Sequence, residues 1–105
     1  MSDPKNILQL IKNSVHSIEP TAVLILYGSY ARGDNRDDSD IDILVLLDKD
    51  KITYEDQKKV QYPLYDIELE TGIIISPMIY SKRAWKSKRH ITPFYENVIR
   101  EGKNL

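Results

Sequence analysis

Cysteine is absent from the 105 residues, so disulfides and thiolate zinc sites are excluded and the redox compartment is left undetermined. No apolar run exceeds seven residues, far short of a bilayer span. Nothing resembles a signal peptide, and a cytoplasmic location is the expectation. There is no excess of either charge: 15 Lys and Arg against 16 Asp and Glu give a net −1. Without an overall basic field, direct nucleic-acid binding is not expected. Internal repeats, linkers and low-complexity tracts are also missing, so residues 1–105 are read as one domain, a size that buries only about two-thirds of the surface its unfolded chain exposes.

What is present centres on Val23 to Leu47, VLILYGSYARGDNRDDSDIDILVLL. Two runs of branched apolar residues read as buried strands, residues 22–27 and 40–47. Between them lie Gly28 and Ser29, ten intervening residues, and then Asp40 and Asp42. At ordinary residue usage this spacing arises by accident in roughly one chain of this length per thousand. Taken singly, Gly-Ser is often only a turn and Asp-x-Asp only a solvated strand start; the joint pattern is what carries meaning.

Elsewhere the chain alternates helix and strand signals. Asp3 before Pro4 marks a helix start, and Ile7, Leu8, Ile11, Val15 and Ile18 form one apolar stripe that ends at Pro20 and Thr21. A short helical turn over Tyr30 to Arg32, closed at Gly33, follows the Gly-Ser bend. Residues 53–70 read as helix, with Val60, Leu64 and Ile67 on one face and Pro63 expected to kink or divide it. Ile73 to Tyr80 reads as a strand whose Pro77 points to an edge or a bulge. Ser81 caps a short helix through Trp85, and Thr92-Pro93 starts a last helix carrying Phe94, Tyr95 and Val98 that stops at Gly102. The expected fold is therefore α/β, a small mixed sheet of about three or more strands flanked by helices.

The chemistry follows from the strand period. Residues 40 and 42 project from one face while Ile41, Ile43 and Val45 project from the other, so two carboxylates converge with Cα atoms roughly 6 to 7 Å apart. Such a pair suits a hard divalent cation, magnesium above all, that leaves positions open for phosphate oxygens. Opposite, Gly28 and Ser29 offer backbone amides and a hydroxyl to a triphosphate. Arg32, one helical turn on, offers a charged fork to the same phosphates. Ser39, beside the acid pair, completes the nucleotide-binding set. Asp34, Asp37 and Asp38 read as solvated loop charges, and His16 and His90 as surface residues. The basic cluster Lys82, Arg83, Lys86, Lys88 and Arg89 reads as a wet helix face, or, with Trp85 inside it, as a contact surface.

GSYARGDNRDDSDIDILV resembles the signature of the polymerase-beta-like nucleotidyltransferases, and the short chain is similar to the minimal nucleotidyltransferases of prokaryotes. The resemblance implies that Gly28 and Ser29 hold the triphosphate of ATP and that Asp40 and Asp42 bind Mg2+. It further implies a HEPN-domain toxin as partner, neutralised by transfer of AMP to one of its tyrosines. One departure stands out. The family carries a third carboxylate on the next core strand, about where this chain has Ile75-Ser76-Pro77, and serine cannot serve as a base at neutral pH. Asp66, Glu68 and Glu70 precede that strand, on a helix that places them away from the pair. A slow enzyme, a nucleotide-binding or toxin-covering module without turnover, and a transferase acting on a small molecule or RNA end are the readings left open.

Overall fold

The computed structural model describes residues 4–87 and 92–105; the cap expected of Asp3 and residues Lys88, Arg89 and His90 lie outside them. In chain order the elements are α1 (Pro4–Ile18), β1 (Val23–Tyr27), α2 (Ser29–Arg32), β2 (Ile41–Leu47), α3 (Tyr54–Thr71), β3 (Ile75–Ser81), α4 (Lys82–Ser87), α5 (Pro93–Glu101) and β4 (Lys103–Asn104). The strands form one sheet in the order β3-β2-β1-β4. β2 runs antiparallel to β1 and parallel to β3, and β4 adds antiparallel to β1. The parallel pair requires a crossover, which α3 supplies. Pro77 indeed lies on an edge strand, where a missing N–H costs no internal ladder bond.

Burial follows the period-two pattern. Ile41, Ile43, Val45 and Leu47 of β2, with Leu24 and Leu26 of β1, pack with Ile7, Ile11 and Val15 of α1 and Val60, Leu64 and Ile67 of α3. Leu44 and Leu46 face the other way, into a second core with Val23, Ile25, Tyr80, Trp85, Phe94, Tyr95 and Val98. That second layer is aromatic: Trp85 stacks on Tyr80 with centroids 5.8 Å apart and lies 4.7 Å from Tyr95, and Phe94 meets Tyr27 edge-on at 5.3 Å. Trp85 is therefore buried, and the contact surface considered for the basic cluster loses its aromatic member. Of that cluster, Lys82 donates to the Thr21 carbonyl at 2.7 Å and Arg83 pairs with Asp50 at the surface.

Several boundaries differ from the sequence reading. The ladder of β2 begins at Ile41 rather than Asp40, β1 at Val23, and β3 at Ile75 rather than Ile73. The N–H of Ile75 is taken by Glu68 Oε1 at 2.7 Å, which fixes where α3 hands over to β3. Pro63 does not divide α3, which runs unbroken from Tyr54 to Thr71; Val60, Leu64 and Ile67 anchor both halves to the same core, and their burial outweighs one lost ladder bond. Its start is a capping box, Thr53 accepting from the Asp56 N–H while the Asp56 carboxylate accepts from the Thr53 N–H. The caps at Ser81, bonded to the Ala84 N–H at 2.9 Å, and at Thr92, bonded to the Tyr95 N–H at 3.1 Å, stand where the sequence places them. β4 has no counterpart in the sequence reading: two polar residues carry no strand signal, and only α5 brings them beside β1.

Asp56 is buried and held well below the usual carboxylate range, at about 2, chiefly by the Lys49 ammonium at 2.7 Å and then by the Thr53 amide. The unfolded chain thus takes up this proton before the folded one does. The stability that Asp56 supplies is present above about pH 4 and is lost as the pH falls toward 2, and Asp56→Asn flattens that segment of the acid-unfolding curve. Leu64, 1% exposed, and Leu69, 84% exposed, lie on the same helix. Urea unfolding will show Leu64→Ala losing about 2–5 kcal/mol, and Leu69→Ala changing stability by no more than about 0.5 kcal/mol.

Candidate active site

The end of β1 and the start of β2 meet by register. Tyr27 stands opposite Asp42, and Asp42 opposite Ser76, so the three side chains form one row on the face shared with Leu44. Gly28 follows immediately, with φ +76°, a conformation that only glycine adopts without strain. A Cβ there would also collide with Asp42 Oδ2. Glycine is needed at this point twice over: once for the bend, and once so that the backbone can lie against the carboxylate.

The bend opens α2. The Gly28 carbonyl accepts from the N–H groups of Ala31 and Arg32 at 3.1 and 3.0 Å, and Ser29 O accepts from Gly33 and Asp34 at 2.9 and 3.1 Å. Gly33, left-handed at φ +81°, closes the turn. The first amides of such a turn have no acceptor within it and point outward, toward whatever occupies the bend.

Charge is concentrated here. The Asp42 carboxyl is raised above the ordinary range, first by burial, then by Asp40, with Glu101 adding and Arg32 opposing. Asp42, desolvated and next to the Asp40 charge, is a carboxylate that a divalent cation would relieve, and the oxygen donors of Asp40 and Asp42 have the chemistry such a hard cation takes. Among the described residues no third acidic or histidine side chain joins them in a cluster able to hold a metal. Ser76 lies directly in register with Asp42, so a hydroxyl rather than a carboxylate neighbours that acid on β3. Asp66, Glu68 and Glu70 do not fill it: all three lie on α3, and Glu68 is committed to the start of β3. Tyr27 is pushed up to about 12, by burial first and then by Asp42 and Tyr80, and stays a neutral phenol at physiological pH.

Arg32 reaches the site from α2, but its guanidinium is shared between two acids. Nε donates to Asp34 at 3.1 Å, and Nη1 donates to both oxygens of Glu101 at 3.2 and 3.1 Å. Glu101 also accepts from the Gly28 N–H at 3.1 Å, and Arg32 holds its carboxyl below the usual range. Glu101 is absent from the sequence reading, and no local signal marks it: it lies 73 residues from Gly28. Ser39 sits apart from these contacts, its Oγ accepting from the Arg36 N–H at 2.8 Å within the loop. Asp37 and Asp38 are exposed, as expected of solvated loop charges. His16 is half-buried, with Nε2 2.9 Å from the Ala22 carbonyl oxygen to which it donates. A cavity of about 180 Å³ lies elsewhere, lined by Leu8, Gln9, Lys12 and Leu105, with neither motif in its wall.

The chain has relatives. Two provisionally named protein adenylyltransferases of Methanocaldococcus jannaschii are similar: one is 36% identical over 78 residues, spanning 74% of this chain and 72% of the relative. The other is 35% identical over 82 residues, spanning 78% and 75%. Among solved structures, a toxin–antitoxin with AMP-PNP superposes with a TM-score of 0.59 at 18% identity, covering 98% of this chain and 72% of that one. A mutant of the MntA–HpeT toxin–antitoxin gives 0.56 at 19%, covering 100% and 72%. Both share the mixed four-stranded fold. Among the described residues no helix is long and apolar enough to cross a membrane. A family model described as a nucleotidyltransferase domain matches residues 8–92, the stretch that holds the glycine bend and both acids, and the chain belongs to that nucleotidyltransferase family.

Proposed function

We propose that this chain transfers AMP from Mg-ATP to a hydroxyl of a partner protein, a tyrosine of a HEPN-type toxin being the acceptor class, and so acts as an antitoxin. The observation that carries the reading is the approach of Gly28 to Asp42, which sets the glycine bend directly against one of the two acids. The toxin–antitoxin neighbours, one of them with AMP-PNP, and the relatives named as protein adenylyltransferases support the nucleotide and the protein acceptor.

Each residue has a role in this reading. Asp40 and Asp42 would hold the cation, which when bound would neutralise charge along the triphosphate and lower the pKa of an attacking hydroxyl. Ser29, with the outward amides of the bend, receives the terminal phosphates, and Arg32 meets the charge that grows on the departing pyrophosphate. Ser39, held in the loop by the Arg36 N–H, adjoins Asp40 in sequence and would meet the nucleotide from the loop side. The acceptor oxygen attacks the α-phosphorus, the bond to the bridging oxygen breaks, pyrophosphate leaves, and the acceptor's proton passes to solvent. Ser76 provides no base for that proton; the lost step is worth a factor of about 10² to 10⁴. Turnover is therefore slow and rests on in-line positioning.

The register of Ser76 with Asp42 also favours a second reading, a nucleotide-binding antitoxin that neutralises by covering its toxin. Incubation with α-labelled ATP, Mg2+ and the protein encoded beside this chain separates the two: label on the partner supports transfer, and neutralisation without label supports covering. If transfer operates, Asp42→Asn lowers labelling by at least about 100-fold. Because Asp42 ionises against burial and a neighbouring charge, the penalty is present above its raised pKa and relieved below it. At neutral pH Asp42→Asn is then as stable as the parent in a thermal melt, or more so. Gly28→Ala behaves oppositely, losing labelling and melting several degrees lower, since a methyl there meets both a positive φ and Asp42.

A further inference from the structure

Glu101 is placed where two local effects disfavour an acid. It is the last residue of α5, the negative end of a helix dipole, and its charge adds to that of Asp42. Neither helix propensity nor packing calls for it. What it gains is tertiary: the Gly28 N–H at 3.1 Å, and Arg32 Nη1 at 3.2 and 3.1 Å. Those donors, a glycine amide at the bend and a guanidinium on α2, belong to the set assigned above to the nucleotide's phosphates. A carboxylate offers oxygens of the same charge sign and hydrogen-bonding capacity as a phosphate. With Asp34 on the other edge of Arg32, its cation is already met by two acids before any nucleotide arrives.

We propose that Glu101 is an internal occupant of the phosphate-binding donors, exchanged for the nucleotide's phosphates on binding, so that nucleotide occupancy is transmitted to the C-terminal end of α5. The proposal rests on the nucleotide-binding reading of the site. The Gly28 amide has a single N–H, now donated to Glu101, so a phosphate that takes it displaces the carboxylate and adds like charge beside it at Arg32. Its departure frees the one polar tie from α5 to the bend among the described contacts. The next residue, Gly102, cannot yield by sliding along β1. Its N–H donates to the Val98 carbonyl at 2.7 Å, Lys103 and Asn104 pair with Leu26 and Ile25 of β1, and Leu105 is bonded beyond them to the Leu24 carbonyl at 3.0 Å. The freed side chain swings from a helix end that stays fixed, leaving an uncovered acid beside the site.

Calorimetry of Mg-ATP binding to the full chain and to Glu101→Gln tests this. Glutamine keeps the length and the acceptor oxygen but removes the charge that competes with phosphate, and the variant is expected to bind about 10-fold tighter, with the gain shrinking as salt is raised. In the unmodified protein, carbon-detected NMR reads the Glu101 carboxyl resonance, which shifts on saturation with Mg-ATP together with the Gly28 amide. Equal or weaker binding by Glu101→Gln, or a Glu101 resonance that stays put while the Gly28 amide moves, overturns the exchange and leaves nucleotide binding intact. Failure of both proteins to bind Mg-ATP overturns the nucleotide reading and the exchange with it.

Discussion

The structure depends on a single close approach, the backbone of Gly28 against the carboxylate of Asp42. It exists because β1 and β2 are antiparallel neighbours whose register sets Tyr27 opposite Asp42, so the first residue beyond β1 must pass over the acid. Any side chain there would push the strands apart or the acid away. The rest of the sheet serves this contact. Ile41, Ile43 and Val45 lock β2 from below, among α1 and α3, and the aromatic layer of α4 and α5 covers the remainder of the upper face. Asp42 is left half-buried at the edge of that cover, with Asp40 exposed beside it.

Partial desolvation sets Asp42 apart. Burial first, and then the neighbouring Asp40 charge, raise its pKa, and a divalent cation would relieve what protonation otherwise relieves. The same burial pushes the Tyr27 phenol up, while the Arg32–Glu101 pair lies nearer solvent, with Arg32 47% exposed. Ion pairs that would be worth little on an open surface become organising contacts here, because both partners also bond to the bend or to its helix.

The register of β3 defines the chemistry by what it omits. Parallel pairing sets Ser76 beside Asp42, so the position is occupied by a hydroxyl that neither binds a cation strongly nor takes a proton at neutral pH. The acids nearby in sequence do not compensate. Asp66, Glu68 and Glu70 lie on α3, and Glu68 is consumed in starting β3. The acid that does reach the bend, Glu101, comes from a segment remote in sequence and contacts the Gly28 amide and Arg32.

The residue pattern by itself determined the two inner strands, the glycine bend, the caps at Ser81 and Thr92 and the edge position of Pro77. Each of these is a local matter of period, φ or hydrogen-bonding valence, readable over a few residues. The unbroken course of α3 through Pro63, the burial of Trp85 inside a basic cluster, the pairing of β4 and the arrival of Glu101 were decided only by the tertiary structure. In those cases the deciding energy is burial or ion pairing between segments remote in sequence. A proline's lost bond, a tryptophan's side and an acid's partner are set by what packs against them, and no window along the chain contains that information.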